Sequence, residues 1–335
     1  MDSLKNKNLP FDKISNILTL RYNPNNQSNL KKINWKDYLP KKTANSILIK
    51  NLLQKSLKKN LISKSNLSVA LSGGVDSTLL LSLTKEIFPD LPITAITITF
   101  PYSEDESKSA SNIAQNFDID HKIIHVDNFL KELPAAIGIL KEPYYDVMNW
   151  YYLVKNSKSI SNSLLTGDGA DEIFGGYTFR YSKFLNSIND NSSPIEKVKA
   201  YLQCHERDWV PDQENLFGKK FEFSWNQIND ILKPFFDNPL STLDQLFLAD
   251  FNGKLKNNFI PNYEKFYNFF KISSISPFLE NSVIEEGLRI SPEEKYDSSK
   301  NIGKLPLRKL IPEHVSSLLF PKLKQGFAVN TSSLW

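Results

Sequence analysis

The chain has 335 residues, 40% of them hydrophobic, which excludes a peptide or a disulfide-stapled miniprotein and allows one large domain or a domain with an appendage. Its one cysteine, Cys204, excludes a cysteine-rich metal cluster, and no apolar run reaches the ~18 residues of a membrane span, so we expect a cytoplasmic protein. The net charge is +4, but the charge is unevenly distributed: residues 1–66 form a basic head with 14 basic and three acidic side chains.

The first predicted elements are an arm, a helix and a strand. Residues 1–40 show no clear hydrophobic period and are rich in Asn, Lys and Pro, so we expect a basic N-terminal arm with little regular structure. Apolar side chains at helical spacing predict an amphipathic helix over 41–61. A short apolar run at 67–71 predicts the first strand, and the pattern from 77 to 88 predicts the helix after it.

Strands and helices then alternate along the chain. β-branched residues predict a second strand over 92–100, and a helix near 107–117 follows a polar loop. Two further apolar runs, 121–126 and 163–166, predict a third and a fourth strand with helical pattern between them. Short apolar strands alternating with helices predict an α/β fold, a doubly wound parallel sheet covered on both faces.

The sequence changes character near residue 180. Beyond it the chain is helical and aromatic, without an alternating strand signal. We therefore predict one domain over 41–335, with an α/β core over about 41–180 and a helical part over about 181–335. Cys204 lies in this helical part, where we expect a small core residue.

A glycine-rich segment, LSGGVDST at 71–78, joins the first predicted strand to a helix. Two adjacent glycines let a backbone approach a ligand closely, and the start of the helix offers unpaired N–H groups and a positive dipole end to an anion. Ser72 and Ser77 add hydroxyl donors. Asp76 would repel a phosphate but suits a Mg²⁺ ion that bridges phosphates. The spacing and the lysine of a Walker A loop are absent, so this is a different kind of phosphate loop.

A second loop, TGDGADEIFGGY at 166–177, follows the fourth predicted strand. It holds four glycines and three carboxylates, and the carboxyl end of a parallel strand borders the crevice where ligands bind. One of these carboxylates could complete the Mg²⁺ site with Asp76, and another could accept a proton from an attacking amine. The sequence therefore predicts that the two loops share one site.

Both loops resemble known signatures. SGGVDS resembles that of the PP-loop ATP pyrophosphatases, which have an adenine nucleotide alpha hydrolase-like fold and cleave ATP to AMP and pyrophosphate. LLTGDGADEIFGGY resembles the second signature of the asparagine synthetase family, in its C-terminal synthetase domain. Four further segments resemble that family in its own order: SEDE at 103–106, KEPYYDV at 141–147, ISPFLE at 275–280 and KLKQGF at 322–327.

The resemblance implies roles for individual residues. Asp76 and Asp171 would ligate Mg²⁺, Asp168 would be the base, and Lys324 would neutralise charge at the α-phosphate, with Glu172 supporting the loop. Ile98 would lie against the adenine. The implied ATP-binding residues are Leu71, Ser72, Gly73, Gly74, Asp76, Ser77, Ile98, Thr166 and Gly167.

The implied reaction joins a carboxylate to an amine. A small-molecule carboxylate would attack the α-phosphorus of ATP, giving an acyl-adenylate and pyrophosphate, and ammonia or another amine would then release AMP. In two-domain asparagine synthetases a cysteine after the initiator Met liberates ammonia from glutamine, but position 2 here is Asp2. We therefore expect a chain without the N-terminal glutaminase domain, supplied with free ammonia, with ammonia from a separate glutaminase, or with another amine.

The sequence departs from the family in the half that shapes the acyl pocket. The family's L-E-x-R stretch reads Ile272, Ser273, Ser274 and Ile275 here, and a D-R pair appears as Glu264 and Lys265. The chain also stops at Trp335, soon after KLKQGF, where family members normally continue. The acid could therefore be other than aspartate: a peptide side chain, a sugar acid or a natural-product precursor.

Two alternatives from other classes remain open at this point. One is an inactive nucleotide-binding homologue, and the other is a PP-loop tRNA-modifying enzyme that uses the basic head. Only five of the 41 basic residues are arginine, whose bidentate fork phosphate readers favour, so we do not expect a nucleic-acid partner.

Overall fold

A five-stranded parallel sheet organises the chain. The computed structural model describes residues 11–101, 105–142, 147–189, 191–205, 213–217 and 223–319. Within them the strands lie in the order β3-β2-β1-β4-β5. Their bounds are β1 Leu67–Ala70, β2 Ile93–Thr99, β3 Asp120–His125, β4 Ser163–Leu165 and β5 Ser273–Ile275.

Helices cover both faces of the sheet and build the rest of the described chain. The first eight are α1 Phe11–Leu20, α2 Ser46–Leu61, α3 Val75–Ile87, α4 Ser107–Asn116, α5 Leu133–Leu140, α6 Met148–Ser157, α7 Ala170–Phe174 and α8 Thr178–Asn186. The next eight are α9 Pro194–Gln203, α10 Gln213–Leu216, α11 Trp225–Phe236, α12 Thr242–Asp250, α13 Ile260–Phe270, α14 Asn281–Arg289, α15 Leu305–Arg308 and α16 Glu313–Ser316.

The strand order sets the place of the site. From β1 the chain moves outward to β2 and β3 on one side, and then returns to add β4 and β5 on the other. The order therefore reverses between β1 and β4, and open α/β sheets bind ligands in the crevice at the carboxyl ends of the strands at such a point. The phosphate loop (71–78) follows β1 and the acidic loop (166–177) follows β4, so both lie at the carboxyl ends of these strands, where the crevice forms.

The predicted α/β fold with a parallel sheet is confirmed, and the four strands predicted for it are present. β1 shows the burial expected of a central strand, since Leu67, Ser68 and Val69 are all buried. The part of the chain beyond residue 180 is mostly helical, as expected. Cys204, just after α9, is buried in the core, as predicted. The structure describes no helix long and apolar enough to cross a membrane.

Two expectations were wrong within the described residues. The first is the arm with little regular structure, because residues 11–20 form α1 and its Ile17 and Leu20 are buried. At ten residues, α1 is shorter than the 11–18-residue window over which a helical period is recognised. The second is the lack of strands after residue 180: β5 pairs in parallel with β4 through the register Ser163↔Ser273. Two of its three residues are serines, so neither length nor composition marks it as a strand.

A wide helical turn holds the N-terminal region against the core. Residues Phe251–Phe259 form a π-helix that connects α12 to α13. Its buried Asn252 accepts a hydrogen bond from the backbone N–H of Ile33 (3.0 Å) and donates one to the carbonyl oxygen of the same residue (3.0 Å). Because one amide side chain satisfies both backbone groups of Ile33, this part of the N-terminal region is fixed in place.

Lys295 is a buried lysine that no hydrogen bond from the described residues satisfies. It is 0% exposed, and its Nζ lies 5.2 Å from the centre of the Phe247 ring and 5.9 Å from that of Tyr38. Burial lowers the pKa of Lys295 to about 7, and the charge of Lys41 adds to the effect while Asp244 opposes it. At pH values where this lysine is protonated in the unfolded chain, its burial therefore lowers the free energy of unfolding.

The free energy of unfolding is expected to rise with pH between about 7 and 10.5, because the unfolded lysine holds its proton there and the folded one does not. The slope from this residue approaches about 1.4 kcal/mol per pH unit. Lys295→Met should remove that slope and stabilise the protein at pH 7. Urea unfolding at several pH values measures it, with the exposed Lys58→Met as control. An unchanged slope in Lys295→Met would contradict the assignment.

Candidate active site

The phosphate loop is shaped by close packing against α4. Gly73 has φ +72°, a left-handed conformation that glycine adopts readily. A Cβ at Gly73 would lie 2.9 Å from the Cβ of Ser109 and 3.3 Å from the backbone nitrogen of Ala110. No side chain fits between this loop and α4, so the glycine is required for both its conformation and its space.

The polar groups of the phosphate loop are joined to one another by long hydrogen bonds. The hydroxyls of Ser72 and Ser77 lie 3.4 Å apart, and the backbone N–H of Gly74 donates to the Ser72 hydroxyl over 3.4 Å. Gly74 is the N-cap of α3, and no side chain caps that helix. The 13-residue helix α3 thus presents backbone N–H groups and its positive dipole end at the crevice, an arrangement that suits an anion such as phosphate.

The acidic loop lies directly against the start of α3. A Cβ at Gly167 would lie 2.9 Å from the Cβ of Asp76, so the two loops meet with no room for a side chain. The backbone N–H of Thr166 donates to the carbonyl oxygen of Ile275 (2.9 Å), which ties the start of this loop to the end of β5. The loops after β1 and β4 therefore form one continuous surface.

The side chains of Asp76 and Asp171 lie close together, and both contact the ammonium group of Lys304. Lys304 Nζ contacts Asp76 Oδ2 and lies 2.5 Å from Asp171 Oδ1. The three side chains are 6%, 11% and 16% exposed, for Lys304, Asp76 and Asp171 respectively. Two carboxylates thus share one positive charge in a largely buried position, as the predicted magnesium site requires, although their role as metal ligands remains a prediction.

Lys304 is held there by its backbone. It adopts φ +58°, and its N–H donates to the carbonyl oxygen of Phe174 (3.2 Å) at the end of α7. A Cβ on the preceding Gly303 would lie 2.0 Å from the carbonyl oxygen of Gly175, so only glycine allows this approach. Lys304 is not among the predicted site residues, because one lysine in a chain with 41 basic residues gives no distinguishing signal.

Asp168 lies in the acidic loop, close to the edge that β4 shares with β5. The Thr166 hydroxyl donates to Asp168 Oδ2 (2.8 Å) and lies 2.8 Å from the hydroxyl of Ser276. Asp168 is partly exposed. A partly exposed carboxylate, oriented by a neighbouring hydroxyl, can accept a proton from a bound molecule.

Glu172 stabilises the acidic loop through a buried hydrogen bond. It is buried, and its carboxylate accepts a hydrogen bond from the Tyr177 hydroxyl (2.6 Å). Burial raises the pKa of Glu172 to about 8, and the charge of Asp171 adds to it. The Tyr177 ring lies under the guanidinium of Arg180 (3.9 Å), whose NH1 lies 3.0 Å from the buried Asp250 Oδ1. This network fixes the end of α7, in agreement with a supporting role for Glu172.

The other predicted site residues lie along the same edge. Leu71 is buried, and its carbonyl oxygen accepts a hydrogen bond from the Thr97 hydroxyl (2.6 Å) of β2. Ile98 is partly buried near the carboxyl end of β2, opposite Ile124 of β3. Lys324 lies outside the described residues. The described members of the predicted set thus line the carboxyl ends of β2, β1 and β4, in that order.

The donor set fits Mg²⁺ rather than a metal held by protein alone. The structure gathers no group of three His, Cys, Asp or Glu side chains suited to a metal among the residues it describes. Mg²⁺ is usually held by one or two carboxylates, with water and substrate phosphates completing the shell. Asp76 and Asp171, beside a loop suited to phosphate, match that pattern.

Fold and site together define an α/β protein with a parallel sheet and a glycine-rich loop, suited to phosphate, at the carboxyl end of its first strand. The asparagine synthase family model matches residues 48–335, and the chain belongs to that family.

Curated relatives agree with this match. The chain is 25% identical over 293 residues to the glutamine-hydrolysing asparagine synthetase 1 of Bacillus subtilis, covering 77% of this chain and 45% of that protein. It is 27% identical over 183 residues to asparagine synthetase B of Escherichia coli, covering 48% of this chain and 31% of that protein. The chain thus spans less than half the length of these relatives. A solved NMN synthetase from Francisella tularensis aligns with 64% of this chain and all of its own, at 17% identity and a TM-score of 0.32.

Proposed function

We propose that this protein is an ATP-dependent amide synthetase that forms AMP and pyrophosphate. The observation that carries the proposal is that Asp76 and Asp171 both contact the buried ammonium group of Lys304. These side chains lie beside the phosphate loop, at the point where the strand order of the sheet reverses. Membership of the asparagine synthase family supports it.

The first step activates the acid. A carboxylate oxygen attacks the α-phosphorus of ATP, the bond from that phosphorus to the bridging oxygen breaks, and pyrophosphate leaves with the electron pair. The phosphate loop and the start of α3 would bind the phosphates, and Asp76 and Asp171 would hold Mg²⁺, whose positive charge would stabilise the leaving pyrophosphate. Because Lys304 Nζ contacts both carboxylates, the metal would take its place there.

The second step forms the amide. The amine nitrogen attacks the acyl carbon of the adenylate, the bond to the AMP oxygen breaks, and AMP leaves. The nitrogen must lose a proton, and Asp168 would accept it. The amine is ammonia, free or from a separate glutaminase, or another small amine, and the acid is a small-molecule carboxylate.

Pyrophosphate exchange is the direct test. Radiolabelled pyrophosphate should enter ATP only when Mg²⁺ and a suitable acid are present, because the exchange requires reversible adenylate formation. A panel of aspartate, other amino acids and small carboxylic acids identifies the acid. Binding of ATP without exchange for any acid would instead favour an inactive nucleotide-binding homologue.

Asp168→Asn is expected to separate the two steps. Adenylate should still form, while amide release should fall by about 10²–10⁴-fold, because the amine loses its proton acceptor. Rapid-quench measurement of both products checks this, with Asp120→Asn as control, since Asp120 is exposed at the amino end of β3. Equal loss of adenylate and amide would assign Asp168 to the first step.

A further inference from the structure

The carbonyl group of Leu71, the first residue of the phosphate loop, is held by a side chain of the neighbouring strand. The backbone N–H of Leu71 donates to the carbonyl oxygen of Ile96 (3.0 Å), which extends the pairing of β1 with β2 by one residue beyond the end of β1. The Leu71 carbonyl oxygen accepts a hydrogen bond from the Thr97 hydroxyl (2.6 Å). Leu71 and Thr97 are both buried, so water does not compete for this contact. The contact holds the chain at the point where it leaves β1 and enters the loop.

A histidine on β3 extends this contact into a hydrogen-bond chain. His121 Nε2 lies 2.8 Å from the Thr97 hydroxyl, and His121 Nδ1 lies 3.0 Å from the Ser111 hydroxyl of α4. Thr97 has one hydroxyl hydrogen and the Leu71 carbonyl can only accept, so Thr97 donates to Leu71 and accepts from His121. His121 therefore carries its proton on Nε2. Burial lowers the pKa of His121, which favours the neutral ring, and Nδ1 then accepts from Ser111.

The far end of this chain lies in the helix that packs on the phosphate loop. A Cβ at Gly73 would lie 2.9 Å from the Cβ of Ser109 in α4, the helix that also carries Ser111. The loop is thus confined at Gly73 by α4, and its first residue is held by Thr97. The His121 ring joins these two supports, because it is hydrogen-bonded to Thr97 through one nitrogen and to α4 through the other.

We propose that His121 is a positioning residue of the phosphate loop: by joining Thr97 to α4, it holds the loop in the shape that binds the triphosphate of ATP. This deepens the proposed function and rests on it. The ring is hydrogen-bonded to Thr97 and Ser111, so it acts on the phosphates through the loop. The effect is selective for phosphate. Breaking the chain weakens the binding of ATP, whereas adenosine, which has no phosphate, binds as before.

Equilibrium dialysis with radiolabelled ATP and adenosine, on the full-length protein with Mg²⁺, tests this selectivity. In Thr97→Val and in His121→Leu the affinity for ATP should fall about five- to tenfold, the scale of one lost hydrogen bond, while the affinity for adenosine is unchanged. The double variant should bind ATP about as tightly as Thr97→Val alone, because His121 acts on the loop through that hydroxyl. His121→Gln, whose amide can still donate to Thr97, should recover most of the loss.

The control is His125→Leu. His125 Nδ1 lies 2.7 Å from the Thr99 hydroxyl, the same kind of contact two residues further along β2, but His125 is exposed. This variant should bind ATP like the wild type. Ser111→Ala removes the α4 end of the chain at a partly exposed position and should weaken the binding of ATP alone, so the test does not depend on the folding of the buried variants.

NMR without nucleotide tests the hydrogen-bond chain directly. Long-range ¹H–¹⁵N spectra distinguish the two tautomers of histidine, and the spectrum of His121→Gln identifies the His121 signals among the four histidines. At neutral pH the wild type should show His121 as a neutral ring with its proton on Nε2, and Thr97→Val should shift the Nε2 signal. A protonated ring, or a proton on Nδ1, overturns the proposal.

The outcomes separate the positioning role from the reaction. Equal losses of ATP and adenosine binding in the variants, or no loss of either, contradict the positioning role and leave the proposed reaction in place. Selective loss of ATP binding, in a wild type that shows no pyrophosphate exchange with any acid, contradicts the reaction and keeps the positioning role. A wild type that binds no ATP contradicts both.

Discussion

Replacing Asp76 by Asn is expected to reduce acid-dependent pyrophosphate exchange by more than about 10³-fold, because it removes a proposed Mg²⁺ ligand at the point where pyrophosphate leaves. The amide is close in size to the carboxylate, so the contact with Gly167 and the start of α3 should be kept. The measurement is the rate of exchange across a range of Mg²⁺ concentrations. High Mg²⁺ should restore little activity.

The control for this change is Asp90→Asn, which alters the same chemical group in an exposed position three residues after α3. Its exchange rate should equal that of the wild type. If Asp76→Asn also keeps near-normal exchange, Asp76 does not ligate the metal and the proposed site loses its central residue.

Lys304→Met is expected to lower the free energy of unfolding strongly. Without the ammonium group, the largely buried carboxylates of Asp76 and Asp171 lose the positive charge they share. Removing one partner of a buried ion pair costs about 3–5 kcal/mol, so the free energy of unfolding should fall by about that amount in the absence of Mg²⁺. Adding Mg²⁺ should recover part of the loss, because the vacated position between two carboxylates suits a divalent cation.

Denaturant unfolding with EDTA or with Mg²⁺ measures this effect. Lys300→Met makes the same chemical change four residues earlier, at a lysine that is 72% exposed and lies 3.8 Å from Asp297. It should alter stability by about 1 kcal/mol or less, with no dependence on Mg²⁺. A Lys304→Met protein as stable as the wild type in EDTA would show that the two carboxylates need no cation.

The sequence predicted the features that local patterns specify. Alternating apolar runs and helical periods located the strands of the core, and the two glycine-rich loops located the crevice, because parallel strands place their carboxyl ends at one edge. The proximity of Asp76 and Asp171 followed from the same geometry. The same geometry predicted that Ile98 lies at the carboxyl end of β2, the strand next to β1.

Features that depend on contacts distant in sequence were not predictable. Lys304 reaches the site through a left-handed turn packed on the end of α7, which no short motif announces. The strand β5 exists because β4 offers an edge, rather than because its serines favour extended structure. The stacking of Trp150 on Tyr263 likewise joins α6 to α13, more than a hundred residues away along the chain, and no periodicity in either helix indicates it.

The Lys304 bridge has a consequence for ligand screening. Any metal–nucleotide complex that engages Asp76 and Asp171 must first displace an ammonium that ties α3, α7 and the segment before α15 together. The complex therefore replaces one internal cross-link with another, and the net gain in melting temperature is smaller than its intrinsic affinity would give. Thermal-shift assays and calorimetry would report the same reduced affinity, because both measure the binding free energy after the lost Lys304 contacts have been subtracted.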